Sequence, residues 1–152
     1  MITAWRICQE RHRATAFSGR GAAEYPGRWN PAGLPVVYLA ESRSLAALEI
    51  LVHAEDLNLL TAAQWVALPV RFEASLVHRP PRVPEDWRAL PSSPETREFG
   101  RAWVDAGTSV VLRVPSAVTG GEFNFLLNPR HPDFSRLQFG PAEEFTFDPR
   151  LR

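Results

Sequence analysis

Arg28, Tyr38 and Glu49 lie within one short segment and carry a cation, an aromatic ring and a carboxylate. Arg28 sits in Gly27-Arg28-Trp29-Asn30-Pro31-Ala32-Gly33, a run of strong turn formers. A guanidinium held by such a loop suits bidentate contact with phosphate or carboxylate oxygens. The same residue also reads as a surface arginine beside a packed tryptophan. Tyr38 belongs to the apolar run Val36-Val37-Tyr38-Leu39-Ala40, whose alternation puts Val36, Tyr38 and Ala40 on one strand face and Val37 and Leu39 on the other. A tyrosine there serves either a core, with its hydroxyl satisfied at the edge, or a site.

Glu49 carries more information. Ser42 is a good N-cap, and a helix starting there sets Leu45, Ala46, Val52 and His53 at i−4, i−3, i+3 and i+4 from Glu49. A carboxylate among largely apolar neighbours is costly unless it is paired or lines a cavity. The segment therefore predicts a loop, a strand and an amphipathic helix, each presenting one functional group.

The flanking chain must supply the sheet and helices that hold this unit. Thr3 to Ile7 predicts a first strand with Trp5 and Ile7 on one face and Arg6 on the other. Residues 11 to 26 read as a loop without a GxGxxG or Walker pattern, so a Rossmann or P-loop site is unsupported. Gln64 to Phe72 reads as a strand whose Pro69 suggests an edge or a bulge, and Leu76 to His78 extends the sheet. The proline-rich residues 79 to 94 form a surface excursion tacked down by Trp87. Ser93-Pro94-Glu95 opens a helix that Gly107 ends, with Phe99, Ala102, Trp103 and Ala106 as its core stripe. Ser109 to Val114 is a β-branched strand ended by Pro115, leaving Ser116 at the strand tip. Glu122 to Leu127 is another strand, with Asn124 and Leu126 sharing a face, and residues 136 to 147 supply one or two more.

With 152 residues, 45% hydrophobic and 22% charged, the chain reads as one globular domain spanning 1–152. Seventeen basic and seventeen acidic residues cancel, which argues against direct DNA binding. All the basic residues are arginine, so lysine bases and nucleophiles are excluded. Cys8 is the only cysteine, excluding an intramolecular disulfide and a cysteine zinc cluster. His12, His53, His78 and His131 show no ligand spacing, and no metal is expected. Glu122, beside Gly120-Gly121, reads as a solvated loop edge. Ser116, His131 and Asp133 lack the Gly-x-Ser-x-Gly elbow of a hydrolase triad. Without a signal peptide or a long apolar run, the expected location is cytoplasmic and away from membranes.

Gly-Arg-Trp-Asn, Val-Tyr-Leu-Ala and Ala-Leu-Glu, followed by Val114-Pro115-Ser116 and Asn128-Pro129-Arg130-His131-Pro132, resemble the RES-domain family. These are the toxin halves of RES–Xre type II toxin–antitoxin pairs. The resemblance runs from Trp5-Arg6-Ile7 to about Phe147. Arg28, Glu49 and Ser116 match the arginine, glutamate and serine of the family name. The resemblance implies an α+β domain like a small ADP-ribosyltransferase, with a mixed, split β-sheet, short helices and a cleft between its halves. It implies NAD as substrate, with Arg28 on the pyrophosphate, Tyr38 on the nicotinamide and Glu49 on the nicotinamide ribose. Ser116, Arg6 and Asn124 would add contacts to the dinucleotide. The implied reaction cleaves the nicotinamide–ribose bond by hydrolysis, or by phosphorolysis with inorganic phosphate, and arrests bacterial growth. Transfer of ADP-ribose to a protein and an inactive antitoxin-binding module are the alternatives. The implied partner is an Xre-type helix-turn-helix antitoxin covering the active site, with a toxin homodimer inside the complex.

Overall fold

Alternating apolar runs become strands here because each has a buried face to fill. The computed structural model describes residues 1–151. In chain order the elements are β1 (Ile2–Gln9), α1 (Arg20–Glu24), β2 (Val37–Ala40), α2 (Arg43–Leu51), α3 (Leu57–Ala62), β3 (Trp65–Phe72) and β4 (Val77–His78). They continue with α4 (Pro94–Ala106), β5 (Val111–Pro115), β6 (Phe123–Leu127), β7 (Gln138–Phe139) and β8 (Glu143–Phe145). All eight strands form one mixed sheet in the order β4-β5-β6-β2-β1-β3-β7, with β8 also pairing with β3. Among the described residues only β4 and β5 run parallel. This is the expected α+β architecture.

The expected split is visible in the register. β1 and β3 pair along eight positions, from Ile2↔Phe72 to Gln9↔Trp65, and β2 and β6 along four. Between β1 and β2 the only registered pair is Trp5↔Ala40. The two halves of the sheet meet there and part on either side.

Each face of the β5–β6–β2 half buries a separate core. Val37, Leu39, Phe125, Leu127 and Val111 pack with Val70 and Phe72 on one side. Val36, Leu112, Val114 and Leu126 pack with Trp29 and Trp103 on the other. The period-2 alternation of residues 36–39 thus separates the two layers. Helix α2 covers the junction through Leu45 and Ala46, packed against Ile7, Ala40 and Ala67. Burying Leu45, which is 1% exposed, contributes roughly 1.5–3 kcal/mol.

Local capping explains the helix ends. Ser42 Oγ accepts from Leu45 N at 3.1 Å, and Ser93 Oγ accepts from Thr96 N at 3.1 Å, with Pro94 starting α4. Gly107 closes α4 in the left-handed conformation (φ 63°).

Four expectations are corrected. Residues 11 to 26 are not all loop: they hold a 3-10 turn over Glu10–Thr15 and the short helix α1, entered through Gly19 at φ 79°. Helix α3, capped by Asp56, was not expected. In α4, Ala102 and Ala106 are exposed, and the buried face is Thr96, Gly100 and Trp103. A Cβ on Gly100 would collide with the Trp29 carbonyl, so close backbone approach, rather than the alanines, sets the face of α4. Finally, Pro69 lies in an interior strand. On its outer side β3 pairs with β8 at Trp65–Ala67 and with β7 at Val70–Arg71, so Pro69 falls between the two ladders. Its carbonyl still accepts from Gly140 N at 3.0 Å. A strand proline is tolerated where no ladder donor is needed.

Candidate functional site

The parting of β1 and β2 opens a cleft of about 1180 Å³, walled by the 25–29 loop, β1, β2, α2 and residues 90–92. Arg6, Arg28, Tyr38, Glu49 and Asn124 all line it. Ser116 does not: it is 1% exposed and lies under the wall.

The loop carrying Arg28 is held from inside by Asn30, which is 0% exposed. Asn30 Oδ1 accepts from Gly27 N at 2.9 Å and from Tyr38 Oη at 2.7 Å. Its Nδ2 donates to the carbonyls of Ala22 (2.8 Å), Pro31 (3.2 Å) and Leu34 (3.3 Å). Tyr38 Oη in turn accepts from Trp29 N at 3.0 Å. The Tyr38 ring lies against Gly27, where a Cβ would approach its Cζ and Oη to 2.8 Å. The Tyr38 hydroxyl is thus tied to the loop while its ring lines the cleft. Burial pushes the Tyr38 phenol well above its ordinary value, outweighing the opposing Trp29 N–H and Arg28, so it stays neutral.

Arg28 is anchored from the other side. Its Nη1 donates to the carbonyls of Trp87 (2.8 Å) and Ala89 (2.7 Å), and Trp87 stacks on Trp29 at 6.4 Å between ring centroids. The 79–94 excursion is therefore pinned by Trp87, as expected, and by Arg28 as well. One nitrogen of the guanidinium is committed to this anchor.

Arg6 spans the parting of the sheet. Its Nη1 donates to the Tyr38 carbonyl at 3.3 Å, and its enclosed Nε has no partner. Burial lowers the basicity of Arg6 below the ordinary arginine value, with Cys8 opposing, but an arginine remains charged in a protein. Among the described residues the ion pairs include neither Arg6 nor Arg28.

Glu49 projects from α2 into this setting. Its Oε1 accepts from Asn124 Nδ2 at 2.7 Å and from Ser116 Oγ at 3.3 Å. Asn124 comes from β6 opposite Ala40 and Val114, and Ser116 follows β5. The sheet brings two residues distant in sequence from Glu49 to its carboxylate. Ser116, expected on the substrate, is found on Glu49, with its Oγ also accepting from Val118 N and Thr119 N.

The other candidates fall away from the cleft. Glu122 Oε2 accepts from Thr119 Oγ1 at 2.9 Å and is not among the cleft residues. His131 Nδ1 accepts from Asp133 N, so its Nε2 carries the proton and donates to the Gly107 carbonyl at 2.9 Å. That histidine caps a 3-10 turn, and Ser116 is bonded to Glu49. No group of three or more potential metal ligands occurs among the described residues. Cys8 is buried, which pushes its thiol up. No described helix is long and apolar enough to cross a membrane.

Sequence reasoning missed Asn30, which it read only as part of an Asn-Pro turn. A signal was present: an asparagine can both donate and accept within one tight loop. The Trp87 and Ala89 carbonyls that anchor Arg28 left no signal at all.

Chemically, the cleft offers two unpaired cations, a neutral aromatic ring and one fixed carboxylate. That set suits an anionic, partly aromatic ligand and stabilisation of positive charge developing beside Glu49.

The family model described as RES domain matches residues 3–148. Toxin Res of Yersinia enterocolitica is 38% identical over 149 residues, covering 97% of this chain and 98% of that protein. The Prs ADP-ribosylating toxin of Sphingobium sp. is 34% identical over 152 residues, covering 97% and 94%. The solved M. tuberculosis MbcT–MbcA toxin–antitoxin complex contains a chain of the same fold, with a TM-score of 0.76 at 21% identity over 95% of this chain and 84% of that one. The chain belongs to the RES-domain family, alongside the Res toxins.

Proposed function

We propose that this protein is the toxin of a type II toxin–antitoxin pair and consumes NAD by breaking the nicotinamide–ribose bond. The observation that carries the reading is the Glu49 carboxylate, fixed by Asn124 and Ser116 in a cleft that also holds two arginines without acidic partners. At about 1180 Å³ the cleft is above the roughly 300–1,000 Å³ typical of drug-sized ligands, which suits a dinucleotide.

In this reading Arg6 and Arg28 hold the pyrophosphate, and the Tyr38 ring stacks on the nicotinamide. The C1′–N bond breaks with its electron pair passing to the pyridinium nitrogen, which neutralises the leaving group. An oxocarbenium-like ribose remains, as in glycoside hydrolysis, and the Glu49 carboxylate stabilises its charge. An oxygen of water or inorganic phosphate then forms the new C1′–O bond and releases its proton. Nicotinamide is a good leaving group, so no strong general acid is required. Binding, orientation and charge supply the rate.

The test is NAD loss over time with purified protein, with and without phosphate, beside Glu49→Gln. Loss in the wild type and none in the folded variant is expected, and phosphate dependence separates phosphorolysis from hydrolysis. An equally active Glu49→Gln would overturn the assignment.

A second reading is transfer of ADP-ribose to a protein, favoured by the similarity to the Sphingobium toxin named as ADP-ribosylating. It uses the same cleft and differs in what attacks C1′. Transfer of labelled ADP-ribose to protein, without net hydrolysis, would select it. The partner in either case is an Xre-type helix-turn-helix antitoxin. The related fold solved as a toxin–antitoxin complex supports a partner, and Tyr25, Leu90 and Val52, 82%, 85% and 56% exposed around the cleft, give it an apolar rim to cover. Co-expression with a candidate Xre-type antitoxin and light scattering measures both that binding and the toxin homodimer proposed within the complex.

A further inference from the structure

Two asparagines stand near the cleft, and they are satisfied differently. Asn30 uses both ends of its amide: two donors reach Oδ1, and Nδ2 reaches three carbonyls. That is the pattern of a structural residue. Asn124 uses only one end. Its Nδ2 donates to Glu49 Oε1 at 2.7 Å, and its Oδ1 is enclosed without any partner. A carboxylate can only accept, so the NH₂ end must face Glu49 and the orphaned end must be the oxygen. An unsatisfied buried acceptor destabilises the fold. A fold that carries such a group in a cleft points to a function for the other half of the amide.

Ser116 is committed in the complementary sense. Its Oγ accepts from Val118 N at 3.1 Å and Thr119 N at 3.2 Å, so both lone pairs are taken. Its one proton is left for Glu49 Oε1. Both donors thus converge on the same carboxylate oxygen, and no hydrogen bond to Oε2 occurs among the described residues. Glu49 otherwise stands on α2 among Leu45, Ala46, Val52 and His53, none of which donates to it. A free glutamate side chain loses rotamer entropy when ordered, and these two bonds offset that loss before any ligand arrives.

We propose that Asn124 is a positioning residue. Its amide, with the Ser116 hydroxyl, pins Oε1 of Glu49 and leaves Oε2 to address the reacting ribose. This rests on the NAD-cleaving reading above, shared by its transferase alternative, since Glu49 acts at C1′ in both.

The test compares purified wild type, Asn124→Ala and the isosteric Asn124→Asp, with thermal melts to establish folding. Steady-state NAD cleavage, and transfer of labelled ADP-ribose, supply kcat and KM. Asn124→Ala is expected to lower kcat by about 10- to 100-fold, the scale of a misplaced catalytic group, with KM changed less than about threefold. Asn124→Asp, which keeps the shape and sets a second carboxylate against Glu49, is expected to lose at least as much. It decides the matter if the alanine variant melts below assay temperature. Unchanged kcat in either folded variant overturns the proposal. A raised KM with unchanged kcat also overturns it, because Asn124 would then be a substrate contact. A wild type that neither cleaves NAD nor transfers ADP-ribose overturns the functional reading instead, and the role of Asn124 falls with it.

Discussion

Replacing Asn30 with alanine tests how the cleft is built, independently of any ligand. In the native protein this one buried amide satisfies two donors, Gly27 N–H and Tyr38 O–H, and three carbonyls, those of Ala22, Pro31 and Leu34. Alanine leaves both donors without their acceptor. The carbonyls matter less, because a carbonyl tolerates partial satisfaction better than an N–H does. At about 1–3 kcal/mol for each stranded buried donor, the loss is about 2–6 kcal/mol, a large part of the roughly 5–15 kcal/mol that holds a domain folded. At roughly 2–4 °C per kcal/mol for a chain of this size, the melting temperature should fall by at least about 4 °C. The measurement is urea unfolding of wild type, Asn30→Ala, Tyr38→Phe and the double variant. Because Asn30 Oδ1 and Tyr38 Oη share a 2.7 Å bond, the two losses should fall short of additivity by about 0.5 kcal/mol or more. A stability change below about 1 kcal/mol for Asn30→Ala, or strict additivity with Tyr38→Phe, would refute the claim that this amide braces the loop.

Gly100→Ala should be among the most destabilising single-methyl additions in the chain. Its Cβ would meet the Trp29 carbonyl, and a loss of about 3 kcal/mol or more by urea unfolding is expected, the upper range for overpacking. Alkaline titration should separate the buried phenol. The folded protein holds Tyr38 above the ordinary phenol value of 10.0, so the unfolded chain releases that proton first. Stability from this group is therefore fully present below about pH 10 and lost as pH rises beyond it. In a Tyr25→Phe background, the 295 nm phenolate step should lag behind that of the urea-unfolded chain; coincident steps would refute the burial argument. Arg28→Ala should loosen the proline-rich excursion by removing the one nitrogen that donates to both the Trp87 and Ala89 carbonyls. Two charge-assisted bonds at about 1.5–3 kcal/mol each predict trypsin cleavage after Arg82 or Arg88 at least about tenfold faster. Unchanged cleavage would show that the Trp87–Trp29 stack alone holds the segment.

What the sequence determined by itself was local. Ser42, the Ser93-Pro94 pair and Gly107 mark helix ends because each acts within a few residues of itself, through a hydroxyl reaching a nearby N–H or a left-handed turn. The alternation of residues 36–39 foretold which side chains go to which layer, because the pleat is a property of the strand. Glu49 was readable as exceptional for the same reason: its helical neighbours are apolar whatever the fold.

What only the tertiary structure decided was what each functional group touches. Glu49 meets Ser116 and Asn124 across 67 and 75 residues, and Arg28 meets Trp87 and Ala89 across 59 and 61. No period or cap encodes such pairings; they arise when β2, β5 and β6 align and the sheet parts beside β1. The place of Ser116 at a strand tip was therefore legible, but its partner, the Glu49 carboxylate, was not. The face of α4 failed for the same reason. Ala102 and Ala106 fit a helical stripe as well as Thr96 and Gly100 do, and the close approach of the Trp29 carbonyl selects between them.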